Sequence, residues 1–564
     1  MDRSQTMKTW LFLLISILIS FILYGASIRG AFVYDDFNWT NRKELKDGSN
    51  LIKLWKEPYI PGLEENGTYR PFTIFSFAIN FSLFGESTAS FHIINIILNG
   101  LVIFLVYELV INLFGNEFLA VVSALFFAFM PIHSDAVAFI KSRDELLRSV
   151  LILSSWLAFL NATASKYIIK WQYILISLIL YFFAMLAKET IVIAPFQFFA
   201  VFFLLNEKKR SQIPKLAVFY IIVLIIYMYI RFLVLGNYAF GTDNLAYALN
   251  PIRLVPLPSR LWTASAIAFL YISKAFIPWN LSATYHSKYL EPYGSPWQSI
   301  TVPFGILCLL ILIFFILFKK TRKTPLGIGA LFFLSSYAII SKFFFTAGEI
   351  MAERMLYYPS IGLTMMAGFV FLQIFRRNKL LGIALLTAVL FIYTAIVIPR
   401  NYIWLSKRTL GESMIRDAPR SFEGYFMMAT VEFNEKNYEK AKEYAKNAYA
   451  IDRTFPSLLH LMGRLAIVES RFDLAEQLLR KSMTRQTQAE ISKYLAYAIA
   501  KQGRYEESQR LLLLNLDKYQ NDKQVKTLLG INYLKLGQKE KAQEYLKWDE
   551  DAYQFEQQQM LDNF

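Results

Sequence analysis

The chain has 564 residues, 55% of them hydrophobic and 18% charged, with a mean hydropathy of +0.36 and a formal net charge of +16. So apolar a composition excludes an ordinary soluble protein of this length. The single cysteine, Cys308, lies inside an apolar run, which excludes an intrachain disulfide, a CxxC motif and a cysteine-rich zinc site.

The first apolar run, 9–28, is long enough to cross a bilayer and follows Arg3 and Lys8. A cleaved leader has a shorter core and a small-residue cleavage site, for which YGASIRG is a weak candidate. With many further runs behind it, 9–28 reads as a retained first helix. FVYDD (32–36) follows where the chain leaves that helix, and it sets Asp35 beside Asp36. Adjacent like charges near hydrocarbon are costly, although a solvated loop also carries acidic residues.

Apolar runs recur at 92–114, 117–132, 145–163, 171–187, 190–205, 215–235, 260–278, 301–318, 326–345, 358–375 and 380–398. The linkers 165–170, 206–215, 319–324 and 376–379 are rich in Lys and Arg, which assigns them to the cytoplasm. The segments 29–91, 133–144, 187–190, 236–300, 346–357 and everything after 399 then lie outside. Two outer segments flank 260–278, so that run is expected to be interfacial or re-entrant. About 11 crossings remain, with the N-terminus inside and the C-terminus outside. From Arg400 onward 26 basic residues face 23 acidic ones, so most of the positive charge belongs to the membrane half. That placement fits basic cytoplasmic loops and not a nucleic-acid surface.

After 399 no run is long enough to span, and a repeat appears. NYEKAKEYA (437–445), RFDLAEQLL (471–479), RYEESQRLL (504–512) and QKEKAQEYL (538–546) align, placing Ala441, Ala475, Ser508 and Ala542 at intervals of 34, 33 and 34. Gly503 and Gly537 precede two of these motifs at equal offsets. A 34-residue helix–turn–helix period with a small residue at the packing point is the tetratricopeptide signature. The expected organisation is a membrane domain over 1–398, a connector over 399–422, and about four tetratricopeptide repeats over 423–564 whose groove takes a protein or peptide.

The outer segments carry the chemistry. Asp35 and Asp36 are candidate proton acceptors, and Arg70, Arg143, Lys188 and Arg354 suit an anionic group such as a phosphate. His92, His133, Asp135, Asp144, Glu353 and Tyr357 stand in the same segments as supporting or acceptor-site candidates. Arginines also anchor at interfaces, and histidines also serve as hydrogen-bonded structural residues. His133 and Asp135, two positions apart, make a weak metal pair. A base and a phosphate clamp at one membrane face suggest group transfer from a lipid-linked phosphate donor.

The stretches FVYDD, RPFT, FHIIN, PIHSDAVAFIKSRDELL, LAKE, RFLVLG…DN (231–244), AERMLYYPS and RNYIW (400–404), in this order ahead of the repeats, resemble the transmembrane-and-tetratricopeptide O-mannosyltransferases of the GT-C glycosyltransferase superfamily. Two departures are visible: PIHSD stands where the family usually has HPxHTE, and only four repeats are evident. The resemblance implies an all-α fold: a polytopic GT-C helical domain followed by a tetratricopeptide solenoid. It implies an inverting transferase using a polyprenyl-phosphate sugar, mannose or another hexose, and an acceptor hydroxyl of Ser/Thr or a sugar. It favours Asp35 as base with Asp36 as partner, and Arg143 as the main phosphate ligand before Arg354 and Lys188. No metal or other cofactor is expected, since cationic side chains stabilise the leaving phosphate. The site and the repeats are expected on the extracytoplasmic side. Transfer to a lipid or surface glycan, a non-enzymatic scaffold, and a transporter are the rivals. A transporter places charges near mid-bilayer, whereas these cluster at span ends.

Overall fold

The computed structural model describes residues 3–40, 42–46, 48, 51–61, 67–165, 168–239, 250–285, 290–346, 348–483, 488–516 and 522–546. Asp243 and Asn244 of the quoted family stretch, and the end of the expected repeat region after 546, lie outside the described residues. Helices account for all the regular structure among the described residues. The chain divides into two units, Met1–Pro419 and Arg420–Phe564.

In the first unit, apolar runs become helices whose ends are set by local chemistry. Pro71 opens Pro71–Phe84 at a position where a backbone N–H has no helical partner anyway. Gly115, at φ 64°, closes Thr88–Phe114 in the left-handed conformation, and its N–H donates to the Ile111 carbonyl at 2.8 Å. Asn116 caps the next helix, Glu117–Phe129, by accepting from the Leu119 N–H at 2.8 Å.

Five helical segments, Met7–Arg29, Thr88–Phe114, Ile140–Thr163, Lys209–Ala239 and Lys379–Trp404, are long and apolar enough to cross a membrane. Glu117–Phe129 and Pro131–Ala138, bent by 54°, make a sixth if taken as one broken span. Trp171–Ala187, Glu189–Leu205, Thr301–Leu317 and Pro325–Tyr337 are apolar but shorter. Helix length therefore supports five or six spans, and eleven remains a count of apolar runs. Leu257–Phe276, the run with conflicting parity, packs its backbone on Thr301–Leu317. A Cβ added to Gly305 would fall on the Ser265 carbonyl oxygen.

Aromatic stacking and buried polar bonds fix these helices together. Trp156 stacks between Phe198 and Phe332, with centroids 4.9 and 5.3 Å away. Asn99 donates to Ser20 at 2.9 Å and accepts from the Tyr357 hydroxyl at 2.7 Å, tying together three separate segments. The first outer segment folds onto Pro71–Phe84, where Trp39 packs against Tyr59 and Phe77 at 4.5 and 5.5 Å.

In the second unit, pairs of helices repeat from Phe422–Asn434 to Lys539–Tyr545. Ala441, Ala475, Ser508 and Ala542 are all fully buried, as the packing role of the small residues requires. Lys436, Ser470, Gly503 and Gly537 all adopt positive φ (63°, 58°, 82° and 77°) in the turn ahead of the motif. The turn that glycine marks in the last two repeats is thus retained in the first two by side chains that are strained there. The second unit is a run of helix pairs at the 33–34-residue period of tetratricopeptide repeats.

Candidate active site

The two carboxylates of FVYDD are held in different ways. The turn is tight: Tyr34 sits at φ 51°, a region that non-glycine residues seldom occupy and that often marks functional positions. Asp36 is buried. Its Oδ2 accepts the Val33 N–H at 2.9 Å and its Oδ1 the Lys141 N–H at 3.0 Å, so one carboxyl pins the first outer segment to the second. Burial pushes the Asp36 carboxyl up to about 8, against the pull of those two amides. Asp35 is 31% exposed, and its Oδ2 accepts from the Lys141 ammonium at 2.6 Å.

Behind this rim stand two networks of ionised side chains. In the first, Arg70 donates to Asp144 at 2.6 Å and grips Glu189 through two nitrogens at 2.9 and 2.5 Å. Lys188 bridges Asp144 at 3.2 Å and Glu145 at 2.7 Å, and Arg148 pairs with Glu145 at 2.6 Å. Each charge has an opposite neighbour, which is the condition for keeping such groups out of water. In the second network Arg354 joins Asp135 at 3.2 Å and Glu349 at 2.5 Å, while Arg400 joins Glu353 at 2.8 Å. Glu353 also accepts from Tyr285 at 2.6 Å and from the Ser282 N–H at 2.7 Å. Burial raises the Glu353 carboxyl above its ordinary range, with Arg400 opposing. Asp35 is near enough to act electrostatically on Arg354 of the second network and on Tyr59, whose ring lies 5.0 Å from the Arg70 guanidinium of the first.

The other sequence candidates are structural in their surroundings. Arg143 is fully buried, donating to Asn95 at 2.9 Å, Asn80 at 2.9 Å, the Phe91 carbonyl at 3.0 Å and the Ser76 carbonyl at 3.4 Å. Its guanidinium also lies 4.7 and 5.1 Å from the Phe77 and Phe91 ring centres. All three of its nitrogens are therefore occupied by neutral acceptors of its own chain.

His133 Nδ1 donates to the Phe127 carbonyl at 2.9 Å, which leaves Nε2 to accept from Ser360 at 2.8 Å. His92 is buried against Gly30, where a Cβ would stand 2.9 Å from its Nε2, so only glycine fits. Tyr357 is bonded to Asn99. Among the described residues no group of three His, Cys, Asp or Glu side chains is arranged to hold a metal ion.

Lys141, Glu189, Glu145, Arg148 and Glu349 belong to the charged site but were not singled out from the sequence. Lys141 and Glu145 stand inside the quoted FIKSRDELL, and only the three-dimensional pairing with Asp35 and Lys188 gives them a role.

Residues 70–233 match the family described as dolichyl-phosphate-mannose-protein mannosyltransferase. The chain is 24% identical to the protein O-mannosyl-transferase F38B6.6 of Caenorhabditis elegans, over 80% of this chain and 64% of that protein. It is 25% identical to the Mus musculus protein O-mannosyl-transferase TMTC3 over 93% of this chain and 62% of the relative. It is also 25% identical to the Homo sapiens protein O-mannosyl-transferase TMTC1, over 79% of this chain and 56% of the relative. The chain thus spans less than two-thirds of the length of these relatives. The resemblance read from the motifs stands: relatives over most of this chain are named protein O-mannosyl-transferases, and the apolar helices agree with a multi-pass membrane protein.

Proposed function

We propose that the chain is an integral membrane glycosyltransferase. It moves a hexose, mannose by preference, from a polyprenyl-phosphate donor to a Ser/Thr hydroxyl of a protein on the extracytoplasmic side, with inversion. The observation that carries this reading is Asp35, a partly exposed carboxylate paired with Lys141 beside two networks of paired cations and carboxylates. Asp35 takes the proton of the acceptor hydroxyl as that oxygen forms its bond to the anomeric carbon. The bond from the anomeric carbon to the phosphate oxygen breaks, and the lipid phosphate leaves with the electron pair. Asp36 positions the base and, buried, holds the turn in place.

Arg70, Lys188 and Arg354 supply the positive field for the leaving charge. The internal bonds of Arg143 support a bracing role: through Asn95 it holds the 139–140 turn from which Lys141 projects, since Asn95 also donates to the Phe139 carbonyl at 3.3 Å. The second unit, whose cluster of Glu476, Arg480, Arg504 and Glu507 is largely exposed and not buried like those of the first, serves recognition of the acceptor protein.

The reading is tested by incubating purified protein with labelled polyprenyl-phosphate hexoses and a Ser/Thr-containing acceptor. Label on a hydroxyl supports it, and label confined to lipid or glycan moves the acceptor class. No transfer from any polyprenyl-phosphate hexose overturns it.

A further inference from the structure

Of the cations in the site, Lys141 is held most loosely. Arg70, Lys188 and Arg354 each pair with two carboxylates, and Arg148 pairs with Glu145 and donates to Thr190 at 2.7 Å. Arg400 pairs with the fully buried Glu353 and also donates to the Leu281 carbonyl. Arg143 is enclosed by four acceptors. Lys141 has a single carboxylate partner among the described residues, Asp35, and that pair lies at the rim, with side chains 16% and 31% exposed. Exchanging a rim pair for a new anion costs far less than opening a buried one. Lysine is also suited to exchange, because its ammonium is a point charge on a flexible stem, whereas an arginine fork is tied to its partners' geometry. The main chain of Lys141 does not need to move, since its N–H stays on Asp36.

We propose that Lys141 is the exchangeable ligand for the donor phosphate: its ammonium leaves Asp35 for the phosphate when the donor binds, and this departure frees Asp35 to act as base. The inference rests on the transferase reading above. It means that Asp35 and the phosphate compete for one ammonium. The carboxylate is masked in the empty site and unmasked only when a donor is present, which guards against idle proton exchange. The competition has a sign that simple phosphate binding lacks: removing the Asp35 charge should strengthen phosphate binding.

The test is a double-mutant cycle on full-length protein in detergent, reading affinity for polyprenyl monophosphate, with neutral polyprenol and inorganic phosphate as companion probes. Lys141→Met keeps the stem and the N–H to Asp36, and should weaken polyprenyl monophosphate binding on the order of 10–100-fold. Polyprenol binding should be unchanged. Lys141→Arg should restore much of the loss, and the same pattern with inorganic phosphate would place recognition in the phosphate alone.

Asp35→Asn should bind polyprenyl monophosphate more tightly than wild type, and Asp35→Asn combined with Lys141→Met should lose that gain. Equal polyprenyl monophosphate affinity in wild type and Lys141→Met overturns the proposal, as does a gain in Asp35→Asn that survives without Lys141. Should wild type transfer sugar while these binding results fail, only the Lys141 exchange is wrong. Should wild type neither transfer nor bind, the transferase reading falls with it.

Discussion

Asp36 and Asp35 are neighbours with different tasks, one buried and holding the turn, the other at the rim and paired with Lys141. The buried Asp36 carboxyl is raised to about 8 from an ordinary value of 3.8. A pKa raised on folding contributes stability that is complete below the unfolded value and is lost as pH rises through the folded one. The apparent melting temperature should therefore fall as pH rises from about 4 to about 8, and Asp36→Asn should flatten this dependence. The same substitution turns an amide N–H toward one of the two backbone donors and should cost about 1–3 kcal/mol. A thermal-shift series in detergent across that pH range, on both proteins, checks each expectation.

Arg143 is expected to matter first for folding: Arg143→Ala leaves Asn80, Asn95 and the Phe91 carbonyl without their donor, a buried loss on the order of 3–5 kcal/mol. The same thermal-shift assay should show it, and an unchanged melting temperature with weakened donor binding would return Arg143 to direct phosphate contact. At this scale the sequence exposes residue types but not their partners. Asp35, Asp36 and Arg70 stand out as charges beside apolar runs. The commitment of Arg143 to amides, and of Lys141 to Asp35, depends on residues 48 and 106 positions away that no local pattern connects.

The helices and repeats were more legible, because their signals are periodic. The 33–34-residue spacing located the packing positions at Ala441, Ala475, Ser508 and Ala542, all of which are buried. The turn position was only half legible. Glycine marks it at 503 and 537, while Lys436 and Ser470 carry the same positive φ without a sequence sign. Replacing Lys436 or Ser470 by Gly relieves a left-handed strain and should stabilise the second unit by about 0.5–1 kcal/mol, read as a shift in its chemical-denaturation midpoint. Introducing Ala at Gly305 should do the reverse in the first unit, since its Cβ would meet a backbone oxygen and not a yielding side chain. A cost of about 1–3 kcal/mol or more is expected from such overpacking, seen as a lowered melting temperature. Span count was the least legible feature, because several apolar runs form helices too short to cross unaided. The Pro71–Phe84 helix also lies inside a segment that reads as a loop.

At the scale of the whole molecule, the proposed function divides the work between a membrane unit that carries out the chemistry and a repeat unit that recognises acceptors. Deleting 420–564 should spare donor hydrolysis or transfer to a small peptide while reducing transfer to the natural acceptor, as comparison of the two substrates would show. Protease added to intact cells or spheroplasts should remove the repeat unit, and protection until permeabilisation would reverse the proposed orientation. Because side chains are assigned the charge of the leaving phosphate, chelator treatment should leave transfer unchanged. The central claim rests on Asp35, and transfer measured beside donor binding tests it most directly. Wild type and Asp35→Asn are compared for hexose transfer from the labelled polyprenyl phosphate to a Ser/Thr peptide, and for affinity toward polyprenyl monophosphate. The account predicts that Asp35→Asn binds the lipid phosphate at least as well as wild type while its transfer rate falls about 10²–10⁴-fold. Transfer by Asp35→Asn within a few-fold of wild type would contradict it.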